Sequence, residues 1–176
     1  MNISQQSVIL KDNLEKYYKN DKHFNIVYDM LINPKISLRV IDWFVTNYSK
    51  KYNIIFDNID KKSKVNVYNS YKSQLKSYSK KYFDPFCRRE RIRLENENKT
   101  KEIVTTYGQL NFFKWYISNN IIDYIDINYN NIEKDMNESI CIHNKKKSKN
   151  SKRKELSKSS YNKLNVVDIK TTLYFD

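Results

Sequence analysis

The chain has 176 residues and a formal charge of +13, from 33 basic against 20 acidic side chains. That length supports one good core with appendages. Its single glycine, Gly108, excludes a Walker loop or a dinucleotide-binding fingerprint, since both need several glycines for close backbone approach.

Residues 1–22 are polar apart from Val8, Ile9 and Leu10, and predict a flexible N-terminal arm or one short helix. Phe24, Val27, Tyr28 and Leu31 then recur at helical spacing until Asn33-Pro34 interrupts them. Ser37 can cap a helix over residues 37–51, whose Val40, Ile41, Phe44, Val45 and Tyr48 fall on one face. The runs Tyr52–Phe56 and Lys64–Tyr68 change to strand character and can pair as a hairpin. From Tyr68 the helical period returns through Tyr71, Leu75, Tyr78 and Tyr82, with Lys72, Lys76 and Lys80 in a row beside it. Spacing favours a packing face over a base-stacking platform for these tyrosines. Asp84-Pro85 ends that helix.

Arg91–Leu94 and Glu102–Thr105 read as a second strand pair. Thr106-Tyr107-Gly108-Gln109 fits a capping box, opening a helix over residues 107–125 that is apolar around most of its circumference and so central. Residues 129–163 are rich in Asn, Lys and Ser and predict a disordered basic linker. Residues 164–176 are strand-like, fit to return to a sheet edge or to add to a partner's sheet. Together these predict an α+β fold, with three to four helices on a small antiparallel sheet and the compact domain at 23–128.

The net charge is localised. Residues 72–93 carry a net +6 and residues 143–158 a net +7, while the rest of the chain cancels. The first stretch holds Lys72, Lys76, Lys80, Lys81, Arg88, Arg89, Arg91 and Arg93. The second holds Lys145, Lys146, Lys147, Lys149, Lys152, Arg153 and Lys154, with Lys158 beyond them. Abundant lysine and asparagine with no alanine follow an A/T-rich codon bias, so lysine alone means little. Four of the six arginines within six residues stand above that background. Guanidinium forks pair bidentately with phosphate, and a concentrated basic field selects polyanions as partners. The competing reading is a solvated face whose arginines pair with Glu90, Glu95, Glu97 or Glu102.

Other chemistry is thin. Cys87, Cys141, His23 and His143 lack zinc-ligand spacing, and two cysteines make no disulfide framework, which suits a reduced intracellular chain. Asp84, Glu97 and Lys99 loosely match the acid and E-x-K elements of a metal-dependent nuclease, a pattern that 27 lysines produce easily by chance. The sequence therefore names no catalytic residue, metal or cofactor. No secretory signal and no apolar run near 18 residues is evident, so no membrane partner is expected.

The stretches Ile36–Ile55, Tyr71–Arg93 and Thr105–Asp126, above all FDPFCRRERI at Phe83–Ile92, resemble a small protein family of large nucleocytoplasmic DNA viruses, the giant viruses. The resemblance implies a viral setting (host cytoplasm at the viral factory, virion or nucleus) and carries no catalytic residues with it. The expected function is a non-enzymatic nucleic-acid-binding accessory protein in genome packaging, replication or transcription support, its basic side chains on phosphates. A virion or assembly protein that meets an acidic protein partner is the alternative.

Overall fold

Aromatic and aliphatic side chains at helical spacing decide where this chain packs. The computed structural model describes residues 3–58 and 63–150. Helix α1 (Ile3–Tyr18) and α2 (Asp21–Ile32) come first. A third helix, α3, starts at Leu38–Trp43, widens into a π-helical turn at Phe44–Tyr48 and closes with Ser49–Lys51. Strands β1 (Ile55–Asn58) and β2 (Ser63–Asn66) pair antiparallel and lead into α4 (Val67–Tyr82). Strands β3 (Ile92–Glu95) and β4 (Glu102–Thr105) form a second antiparallel pair, then α5 (Tyr107–Ser118) and α6 (Ile121–Asn150) follow. The fold is α+β, and the described residues form six helices and two separate two-stranded sheets where the sequence suggested one.

The expected arm at 1–22 is corrected by α1. Leu10, Leu14 and Tyr18, four apart, are buried, and the Tyr18 hydroxyl donates to the Leu110 carbonyl at 2.7 Å. The sequence hid this because the buried apolar residues are few and set among polar ones. The predicted helix at 107–125 is two helices, broken at Asn120, whose φ of 55° is left-handed. Residues 129–150, expected to be disordered, continue α6, and Ile132 and Met136 are buried. The first compact unit accordingly ends at Asn137, and residues from Glu138 belong to a second. The segment 151–176, including the strand-like 164–176, lies outside the described residues.

Helix α5 sits at the centre, as its composition requires, with Leu110, Phe112, Phe113 and Tyr116 fully buried. Phe112 meets Phe113 edge-on at 5.6 Å, and Phe83 meets Trp115 edge-on at 5.6 Å. Each buried ring contributes about 2–3 kcal/mol, with roughly 1 kcal/mol more for such geometry. Of the tyrosine row on α4, Tyr71 alone is buried, against Phe83 and Trp115, while Tyr78 is exposed. Ser37 caps α3 as expected, accepting from Val40 N–H at 3.2 Å. The capping box at Thr106 is half realised. Its hydroxyl accepts from Gln109 N–H at 3.1 Å, but the Gln109 amide turns away and donates to the Pro85 carbonyl at 2.8 Å.

Asp135 on α6 ties α3 down. Its buried carboxylate accepts from the Lys51 ammonium and from Trp43 Nε1 at 3.0 Å, with Tyr52 Oη at 3.5 Å. Burial pushes its pKa up, but the bonds from Lys51 and Trp43 outweigh burial and hold it below the usual carboxylate range.

Two outcomes follow from this packing. Leu14→Ala is expected to lose about 2–5 kcal/mol in urea unfolding at pH 7, because Leu14 is fully enclosed; an unchanged midpoint would mean that α1 is not docked. Because the folded pKa of Asp135 is depressed, its contribution is complete above the unfolded value of about 3.9 and is lost as pH falls through the folded value. The stability gap between the native chain and Asp135→Asn is therefore expected to narrow in acid. Unfolding curves from pH 7 to pH 3 check this, and a constant gap would refute it.

Candidate nucleic-acid interface

The segment from Phe83 to Arg93 is where sequence placed the arginines, and its backbone is anchored before any arginine side chain extends. Phe83 enters the aromatic core, Asp84 N–H donates to the Gly108 carbonyl at 3.1 Å, and Pro85 receives Gln109. Asn111 Nδ2 donates to the Tyr82 carbonyl at 2.8 Å. Gly108 matters here for approach, since a Cβ would lie 3.0 Å from the Lys81 carbonyl oxygen.

The eight basic residues of 72–93 sit in different local settings, for identifiable reasons. Arg88 is engaged within the fold. Its guanidinium donates from Nε and Nη2 to both oxygens of buried Asp84, at 2.9 and 2.6 Å, and lies over the Phe86 ring. The bond to Asp84 raises the Arg88 pKa further. Nearby Asp42 on α3 has a raised pKa, by burial first and then by Asp84, with Arg88 and Lys80 pulling it down. Arg93 pairs with Glu102 across β3–β4 at 3.4 Å, but both are exposed, so that pair is weak and opens readily to another anion.

The predicted lysine row is also interrupted. Lys72 and Lys76 share a face of α4 and line a shallow depression with Asn69, Ser73 and Leu75. Ser79 then leaves helical geometry at φ 56°, ψ 174°, a conformation costly for a residue with a Cβ. Its hydroxyl accepts from Lys81 N–H at 3.3 Å, starting a new turn. The break separates Lys80, on the side of Asp42, from Lys81. On β3 the alternation expected from sequence holds. Ile92 and Leu94 turn inward, Arg93 and Glu95 outward, and Arg91 just before the strand is exposed.

Lys81 and Arg89 instead meet Lys11 of α1 around a cleft of about 240 Å³, closed by Tyr82, Glu90 and Thr106–Gly108. Lys11 was missing from the sequence-based set. The signal was available in its position beside Leu10 on the buried stripe of α1. A larger cavity of about 970 Å³ lies between α2 and the α5–α6 junction, but it mixes Asp29, Asp123 and Asp126 with Lys22 and Lys35 and has no phosphate-selective bias. In the basic tail, Lys145, Lys146, Lys147 and Lys149 fall on α6, while Lys152, Arg153 and Lys154 lie outside the described residues. Asp84 gives both oxygens to Arg88, and no group of three or more His, Cys, Asp or Glu that could hold a metal ion occurs among the described residues. No helix among the described residues is long and apolar enough to cross a membrane.

The two adjacent arginines should respond differently to replacement. Arg88→Gln strips a buried carboxylate of its charged partner and is expected to cost about 1–3 kcal/mol. Arg89→Gln, exposed and bonded to no described residue, is expected to stay within about 0.5 kcal/mol of the native chain. Equal unfolding midpoints for the two variants would refute the assignment of Arg88 to the fold.

Comparison with known proteins places the chain. Residues 2–172 match the model of a family described as a family of unknown function, DUF7197. An uncharacterised protein, L507, of Acanthamoeba polyphaga mimivirus is 40% identical over 163 residues, which is 88% of this chain and 62% of the relative's length. The chain thus spans less than two thirds of that relative. No solved structure matches. The chain belongs to the DUF7197 family of unknown function, and the giant-virus relationship read from its motifs holds.

Proposed function

We propose that this chain is a nucleic-acid-binding accessory protein of a giant virus that holds its ligand through the phosphates. The observation that carries the reading is a set of exposed cations outside any ion pair. Lys72, Lys76, Lys80, Lys81, Arg89 and Arg91 are all exposed, and none forms an ion pair with another described residue. Arg93 joins them when its exposed pair with Glu102 opens. Arg88 is withdrawn from the contact set because its charge is already matched.

The arrangement has the properties of backbone binding. Its cations sit in several local settings, which suits contact with a sugar-phosphate backbone. The basic tail adds affinity without sequence preference. Genome packaging, replication or transcription support are the compatible roles, at the viral factory, in the virion or in the nucleus.

Six phosphates neutralised on duplex DNA give a slope of log affinity on log salt near minus five. Changing Lys72, Lys76, Arg89 and Arg91 together to Gln is expected to flatten that slope by about 3–4, with the fold retained. Titrating labelled DNA and RNA from low to high salt measures it. An unchanged slope would reject the interface, and recovery of a nuclease-resistant acidic protein in place of nucleic acid would move the charge to a protein partner.

A further inference from the structure

The cleft around Lys11, Lys81 and Arg89 differs from the rest of the basic surface, because its cations come from three separate segments and converge. Lys11 belongs to α1, Lys81 to the turn after Ser79, and Arg89 to the anchored segment before β3. Two of the three are held in place. The Lys11 ammonium lies over the Tyr107 ring at 4.9 Å and the Lys81 ammonium over the Tyr82 ring at 5.1 Å, and both rings line the cleft. Tyr107 is itself fixed, since its hydroxyl donates to a Glu15 carboxylate oxygen at 3.0 Å. Arg89 has no partner among the described residues and completes the rim.

Charge and size narrow the ligand. Three cations and one carboxylate, Glu90, line the cleft, with Glu15 and Asp12 near Tyr107, so cations predominate at the wall itself. An internal phosphodiester carries one negative charge, whereas a monoester carries about −1.5 to −2 at pH 7. A cleft volume of about 240 Å³ is enough for a phosphate group with part of its sugar. Thr106 is on the wall, with its oxygen accepting from Gln109 N–H and its own proton free for an acceptor.

We propose that this cleft binds a phosphate monoester, the end group of a nucleic-acid strand, between Lys11, Lys81 and Arg89. The proposal rests on the nucleic-acid reading and narrows it, because it makes the strand terminus a preferred contact. A free nucleoside monophosphate presents the same group.

The test compares one single-stranded 12-mer bearing a 5′-phosphate, a 3′-phosphate or hydroxyls at both ends, by fluorescence titration on the full chain, with a nucleoside monophosphate and inorganic phosphate as competitors. One phosphorylated end is expected to bind about tenfold tighter than the hydroxyl form. Lys11→Gln is expected to abolish that preference while leaving affinity for the hydroxyl strand within about twofold, whereas Arg89→Gln is expected to abolish it and to weaken all three strands. Glu90→Gln should enlarge the preference, a gain that misfolding cannot imitate. Equal binding of all three strands overturns the cleft and leaves the nucleic-acid reading standing. Binding of the monophosphate with no strand bound keeps the monoester site and removes the nucleic-acid reading. Failure of every probe removes both.

Discussion

The contact on which the rest depends is the seating of the first turn of α5 against the reversal at Lys81–Pro85. Gly108 permits it, because a Cβ there would lie only 3.0 Å from the Lys81 carbonyl oxygen. With the backbones that close, an irregular segment satisfies its polar groups on α5: Asp84 N–H on the Gly108 carbonyl, the Pro85 carbonyl on Gln109, the Tyr82 carbonyl on Asn111. Buried backbone groups must find partners, and a loop that finds them on a central helix acquires that helix's rigidity. Phe83 completes the seat by entering the ring cluster of Phe112 and Trp115.

This gives FDPFCRRERI a physical reading. Phe83 is core, Asp84 is a buried carboxylate, and Arg88 four residues later neutralises it. An isolated buried carboxylate would be costly, so Asp84 requires a cation, and Arg88 is within reach with a fork that matches both oxygens. Arg89, next in sequence, is left over. Sequence showed that four arginines were concentrated, but not that one was committed to the fold, because the commitment depends on Asp84 being buried. That burial follows from the Gly108 contact, between residues 24 apart.

Most elements were legible where one period dominates. The α3 stripe, both hairpins and the Thr106 cap followed from spacing and residue type alone. What escaped has a common cause in the composition. The chain has one glycine, and that glycine is not in the left-handed region. Left-handed positions fall instead on Asn53, Ser79, Lys99 and Asn120. Asparagine tolerates this conformation, but it is common everywhere in this chain and so marks no particular turn. The break between α5 and α6 and the kink at Ser79 were therefore invisible, although each redirects side chains relevant to the candidate site. Polar residues that dilute the stripes of α1 and α6 concealed the buried Leu10, Leu14, Ile132 and Met136 in the same way.

The division among cations bears on how charge and stability are related here. Lys51 and Arg88 each serve a buried carboxylate, Asp135 or Asp84, and removing either charge leaves an acid stranded in the interior. Lys72, Lys76, Lys80, Lys81, Arg89 and Arg91 serve no such acid. Mutual repulsion among those cations slightly opposes folding, an effect that salt screens over about 8–10 Å. A polyanion that binds among them removes the repulsion, so its binding and the folding of 72–93 favour one another. The committed arginine holds the segment in place, and the uncommitted ones give it a field.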